Sequence, residues 1–346
     1  MNKIYLKGST SNYEYVNALV RAQIGNLLRL REYNAILGCV RLSDITQVLS
    51  RTAYNQLIIE NYPEDFSTYK GMLTSVGCQN AERLISSSPT SSRFILEEYK
   101  ALLESQSLVN AWGSQIGSND PITNAGIIPL GAFPSKYYAG KSGMGEHDKT
   151  VEDFEIRDLI AESLELARNL RSTAPLFRIV TKFSKRLLSK VASSPSRERL
   201  PMIRVAESFL DSANIEIILA CTLSNIDHRT ALSWLEDGGT LKKAFVESAI
   251  ELRDVTDLLA VLRRSRYGSE LEACSYESID HILSKFPYMV MMQEALSALA
   301  GYPFRATTVA SGMTLKLLEI RNLRLAISAV SGELSRNSAL QAMVIY

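Results

Sequence analysis

The 346-residue sequence is poor in the residues that most often carry chemistry. It has only three histidines, His147, His228 and His281, and four cysteines, Cys39, Cys78, Cys221 and Cys274. No two cysteines stand at the two-residue spacing of a zinc or redox pair. Buried free thiols in a reducing compartment are expected, not a disulfide framework or a metal site. His228 and His281 each follow an aspartate. No second histidine or Glu-bearing metal motif lies within a helical turn of either, so both read as structural. Charge of one sign is also lacking. The net charge of +1 provides no global field to draw nucleic acid or an anionic membrane. No apolar run approaches the roughly 20 residues of a membrane span. Residues 1–11 lack the apolar core of a signal peptide, so membrane association is expected to go through a partner.

Apparent catalytic motifs are incomplete. Gly140-Lys141-Ser142 resembles the end of a phosphate-binding loop, but Ser135 stands where its first glycine is needed. Gly143 and Gly145 follow where a helix should open, so a surface loop is expected. The same segment fails as a nucleophile elbow, because Met144 occupies the place of the closing glycine. No cofactor is implied.

What the sequence has is helical periodicity. Val16, Leu19, Val20, Ile24, Leu27 and Leu28 recur at three- and four-residue steps, whereas the alternation of a half-buried strand is scarce. Candidate breaks, rich in Gly, Ser or Asn or bearing Pro, fall at 113–129, 136–145, 193–201, 237–239 and 301–303. An all-α fold follows.

The pattern also repeats. Ser43-Asp44 opens an apolar stripe that leads through Thr52 to Tyr54, and Thr256-Asp257 opens one that leads through Ser265 to Tyr267. Ser43 and Thr256 read as N-caps, and Thr150, with Asp153 three residues on, reads as a third such start. Ser107-x-x-Asn110, Asp211-x-x-Asn214 and Glu319-x-x-Asn322 keep nearly the same period. So does the turn at 129–133 against 237–241. The three asparagines read as register-setting polar groups within apolar helix surfaces, which must be hydrogen-bonded to be tolerated. These markers predict three helical units, spanning 1–122, 123–230 and 231–346.

In the middle unit an acidic stretch over 146–165 precedes a basic one that includes Lys182, Lys185, Arg186 and Lys190. Only Phe183 offers an aromatic among these basic residues, so nucleic-acid binding is not implied. A solvated face is the plain reading of the basic stretch, and a patch facing a partner or lipid headgroups is the functional one.

Glu319-Ile320-Arg321-Asn322-Leu323-Arg324 resembles the terminal signature of the C subunit of archaeal-type ATP synthases, a family that includes the d subunit of vacuolar ATPases. Residues 15–21, Leu27-Leu28, the stretch from Leu258 to Tyr267, and Pro303-Phe304 are similar to other parts of that family. The segment after Asn110, with Trp112-Gly113, departs from it. The resemblance implies a funnel of three helical units around a pseudo-threefold axis. It also implies a non-catalytic connector between the central stalk and the proteolipid ring of a rotary ATPase, peripheral on the cytoplasmic face of the membrane. The complex would serve ATP synthesis or proton or other ion transport. The alternative is a helical-repeat scaffold in some other complex.

Overall fold

The computed structural model describes residues 7–61, 63, 65–116, 151–194, 196–274 and 279–345. The described residues form sixteen α-helices and no strand. In chain order these are α1 (Lys7–Gly25), α2 (Leu30–Leu37), α3 (Leu42–Leu49), α4 (Asn55–Asn61), α5 (Phe66–Ser86), α6 (Thr90–Ile116), α7 (Val151–Leu170) and α8 (Ala174–Ala192). The remainder are α9 (Ser196–Leu223), α10 (His228–Trp234), α11 (Lys243–Ile250), α12 (Val255–Leu262), α13 (Gly268–Ala273), α14 (Ile279–Ala300), α15 (Ala306–Val330) and α16 (Arg336–Ala342).

Two expected breaks are shorter than the sequence suggests. Gly113 lies inside α6, which continues to Ile116; one glycine costs a helix only about 1 kcal/mol. Pro201 lies inside α9 as its sixth residue; the helix gives up the backbone hydrogen bond that a proline cannot donate and continues through it. The N-cap assignments also need correction. Ser43 and Thr256 are the second residues of α3 and α12, and the caps are Arg41 and Asp254. Asp254 accepts from the N–H groups of Thr256 and Asp257 at 2.8 and 3.1 Å. In α3, Asp44 reaches back to accept from the Arg41 N–H at 3.0 Å. A carboxylate serves the free N–H groups of a first turn better than one hydroxyl does, and it favours the positive end of the helix dipole. Thr150, His147, the Gly140-Lys141-Ser142 segment and the 129–133 turn lie outside the described residues.

Residues 30–86 and 243–300 share a sequence of elements. Helices α11, α12, α13 and α14 start at 243, 255, 268 and 279, against 30, 42, 55 and 66 for α2, α3, α4 and α5, a constant displacement of 213 residues. A long helix closes each series, α6 the first and α15 the second. Among the described residues between 117 and 230, the long helices are the 20-residue α7, then α8 and α9. The boundary drawn at 230 falls within α10.

The long helices position everything else. The Tyr99 ring of α6 stands edge-on to Phe209 of α9, with centroids 6.0 Å apart, and Gln106 reaches Glu216 seven residues further along both helices. The two helices therefore run parallel. The Tyr99 hydroxyl also pairs with Thr314 of α15 at 2.6 Å. Around this centre α8 packs on α6, α14 on α9, and α5 on α15. Through α5 the early part of the chain thus returns onto α15 near its end. Helix α15 is buried on every side apart from Lys316, Arg324 and Val330, as expected of a core helix without a polar stripe.

Candidate functional site

The signature on α15 and its counterpart on α9 each present a buried carboxylate that gathers donors from elsewhere in the chain. Glu319 is buried and accepts three hydrogen bonds. The Leu28 N–H donates to Oε1 at 2.7 Å, the Tyr54 hydroxyl to Oε2 at 2.7 Å, and Lys316 Nζ to Oε2 at 2.5 Å. Lys316 also donates to the Tyr54 oxygen at 2.9 Å and lies 4.4 Å over its ring. Burial, and then the charge of Glu319, push the Tyr54 phenol well above the usual tyrosine range, which keeps it a donor at neutral pH.

Asp211 on α9 repeats this arrangement. It accepts from the Leu241 N–H at 3.2 Å and the Tyr267 hydroxyl at 2.8 Å. Leu241 and Tyr267 are the counterparts, 213 residues on, of Leu28 and Tyr54. Asp211 also accepts from the Thr240 N–H at 2.9 Å and the Thr240 hydroxyl at 2.5 Å. The loop must come very close to this shorter carboxylate. A Cβ on Gly239 would sit 1.9 Å from Asp211 Oδ1, so only glycine fits. The hydroxyl two places before each tyrosine has a role as well. Thr52 Oγ1 accepts from the Tyr54 N–H, and Ser265 Oγ from the Tyr267 N–H, each at 3.2 Å. Both tyrosines are thereby aimed at their carboxylates.

The asparagines form a second repeated contact. Asn214 donates to the Glu236 carbonyl at 2.8 Å and accepts from its N–H at 3.1 Å. Asn322 makes the same pair of bonds with Val344 at the same distances. In both cases the partner lies 22 residues on, just beyond a seven-residue helix. Asn110 lies on α6, but its side chain is outside the described residues. Ser107, at the place of Asp211 and Glu319, bonds back to the Leu103 carbonyl of its own helix.

The remaining polar residues of the signature also act inside the fold. Arg321, 1% exposed, donates to the carbonyls of Ala342 and Ser284 at 2.8 and 3.0 Å and lies 4.2 Å over the Tyr288 ring. Arg324 donates to the Lys70 carbonyl and the Thr74 hydroxyl on α5 at 2.9 and 3.2 Å. Burial lowers its pKa to about 10, still a cation at neutral pH.

The basic stretch of the middle unit is largely paired within the chain. Lys182 bonds to Glu155 at 3.4 Å, Lys185 pairs with Glu236, and Arg186 pairs with Glu98 at 2.7 Å. Lys190 is half-buried. A residue not singled out from the sequence also joins elements. Glu198, the acid among these bases, accepts from the Tyr13 hydroxyl and from the Ala306 N–H at the start of α15, each at 2.8 Å. Its signal was an acid in a helical first turn.

Two further acids are buried in the helix packing. Burial pushes Glu104 up to about 7 and Glu216 well above the carboxylate range. Among the described residues no three His, Cys, Asp or Glu side chains gather as for a metal, and no helix is long and apolar enough to cross a membrane.

Residues 16–341 match the ATP synthase (C/AC39) subunit family. The chain is 22% identical over 325 residues to the C subunit of the A-type ATP synthase of Pyrococcus abyssi, and 24% over 320 residues to that of Pyrococcus horikoshii. Each comparison covers 90% of this chain and 85% of the relative. The corresponding C subunit of Methanosphaera stadtmanae is 21% identical over 358 residues, covering 96% of this chain and 88% of the relative. Within the signature, Glu319 and Arg324 reach the first part of the chain while Arg321 and Asn322 hold its last residues, and the chain belongs to the ATP synthase (C/AC39) subunit family.

Proposed function

We propose that this chain is a non-catalytic connector in the rotor of an A-type or V-type ATPase, coupling the central stalk to the membrane proteolipid ring. The observation that carries the reading is the pair of carboxylate joints. Tyr267 and Leu241 of the third unit grip Asp211 of the second, and Tyr54 and Leu28 of the first grip Glu319 of the third. A body whose first unit is fastened to its last resists twisting, which torque transfer demands. Of the polar residues of the family signature, Glu319 and Arg324 belong to that fastening.

In this reading three units, meeting near 122 and 230, surround a pseudo-threefold axis as a funnel. Its mouth takes the end of the stalk, and its opposite side rests on the cytoplasmic loops of the ring, so the chain is peripheral to the membrane. Threefold units cannot match a ring of higher symmetry site for site, so that contact is adaptable and partly polar. Within the basic stretch, Lys190 is the residue most available to a partner, since Lys182, Lys185 and Arg186 hold carboxylates of the chain itself.

Purification of the native complex through a tag on this chain tests the proposal. Co-isolation of the proteolipid ring and the nucleotide-binding subunits is expected, with crosslinks to ring loops. Isolation with neither would instead identify a helical scaffold of another assembly. In membranes lacking the chain, ATP hydrolysis by the catalytic head should persist while ATP-driven ion transport is lost.

A further inference from the structure

The two seams that share their joints differ where α16 and α10 begin. Arg336, the first residue of α16, donates to the Cys39 carbonyl just beyond α2 at 3.1 Å. His228, the first residue of α10, stands at the corresponding place in the other seam. The carbonyl that corresponds to Cys39 belongs to Leu252, just beyond α11, and no side-chain donor among the described residues reaches it. A cavity of about 550 Å³ lies beside the imidazole, lined by Asp227, His228, Glu251, Leu252 and Arg253 among others. Glu251 meets only His228, at 4.0 Å, and is largely exposed. Asp227 spends its oxygens on the start of α10 but still adds negative charge. Against these two carboxylates and a carbonyl stands the single cation Arg253, so the cavity carries a modest excess of acceptors.

We propose that this cavity receives an arginine side chain from a neighbouring protein subunit, which takes the place Arg336 fills at the other seam. The planar fork of a guanidinium suits a carboxylate and a carbonyl at once. That the neighbour is another subunit of the rotary complex rests on the proposed function; the socket itself does not.

The socket is tested on the purified full-length chain with N-acetylargininamide at millimolar concentrations, read by thermal unfolding, with N-acetylglycinamide as control. The arginine compound should raise the midpoint saturably in the wild type and not in His228→Arg, which supplies its own guanidinium. His228→Arg alone should unfold about 2 °C or more above the wild type. Glu251→Gln, which leaves the cavity open, should retain the wild-type midpoint and lose most of the ligand shift. No saturable shift in the wild type, or an equal shift in His228→Arg, overturns the socket. The partner is tested in the assembled complex. His228→Arg should be washed from it more readily than the wild type. Unchanged retention would overturn the assignment of the occupant to a neighbouring subunit while leaving the reading of the chain as a rotor connector intact.

Discussion

Tyr54→Phe deletes one hydroxyl and leaves the ring and its packing in place. Glu319 keeps the Leu28 amide and Lys316 but loses a donor in a buried setting, at a cost of about 1–3 kcal/mol. Tyr267→Phe removes the corresponding donor from Asp211 and should cost a similar amount. The two joints share no partner, so the double variant should lose close to the sum; denaturant titration of all three variants checks this. Glu216 supplies a test with pH. Its carboxyl is fully buried between α6 and α9, with one hydrogen bond, from Gln106. Its folded pKa is raised, so the stability it allows is present below the ordinary glutamate range and is lost as pH rises toward the folded value. Glu216→Gln cannot ionise. It should melt above the wild type at neutral pH, with the gap narrowing and vanishing in acid. A gap independent of pH would mean that the carboxyl does not titrate as its burial implies.

At the scale of elements, the paired bonds of Asn214 and Asn322 hold the chain beyond α10 and α16 against the long helices. Truncation of either asparagine to alanine should leave its long helix in place and release the strand of chain it holds. Hydrogen exchange at the Glu236 amide should quicken in Asn214→Ala, and at Val344 in Asn322→Ala, about tenfold for each 1.4 kcal/mol lost. Neither change should alter exchange at the other site. Much of this level was legible in the sequence. The helices follow from apolar spacing, and the Asp211/Asn214 and Glu319/Asn322 pairs were visible as a period. Their partners were not, because Glu236 and Val344 contribute backbone, which carries no residue type. The caps were misplaced for a related reason. Ser43 and Thr256 have the right chemistry, but each helix starts one residue before them, and Asp44 and Asp254 serve the N–H groups at that start.

For the whole molecule, the decisive contacts join residues far apart in the chain. The pairing of Arg186 with Glu98 could not be read from a basic stretch considered alone, so three of the four residues suspected of facing a partner prove to hold the chain's own acids. The head-to-tail order of the units was likewise hidden. A repeat in sequence shows that units are alike, not which one each grips. If the first unit grips the third, loosening that joint should be felt at both ends of the chain. In Tyr54→Phe, faster hydrogen exchange is expected in α2, α3 and the second half of α15 together, with α12 and α13 unchanged. Loss of protection confined to α2 and α3 would show that the ends are not mechanically joined.

The grip of Tyr54 on Glu319 has a consequence during synthesis. The partners lie 265 residues apart, so the face of α2–α4 that will meet α15 leaves the ribosome long before its acceptor exists. At about 5–20 residues per second, roughly ten to fifty seconds separate the two. During that interval Ile36 of α2, fully buried in the finished protein, lacks the long helix on which α2 packs. The nascent chain is therefore a natural client for holding chaperones, and translation that stalls before residue 319 leaves a product unable to close.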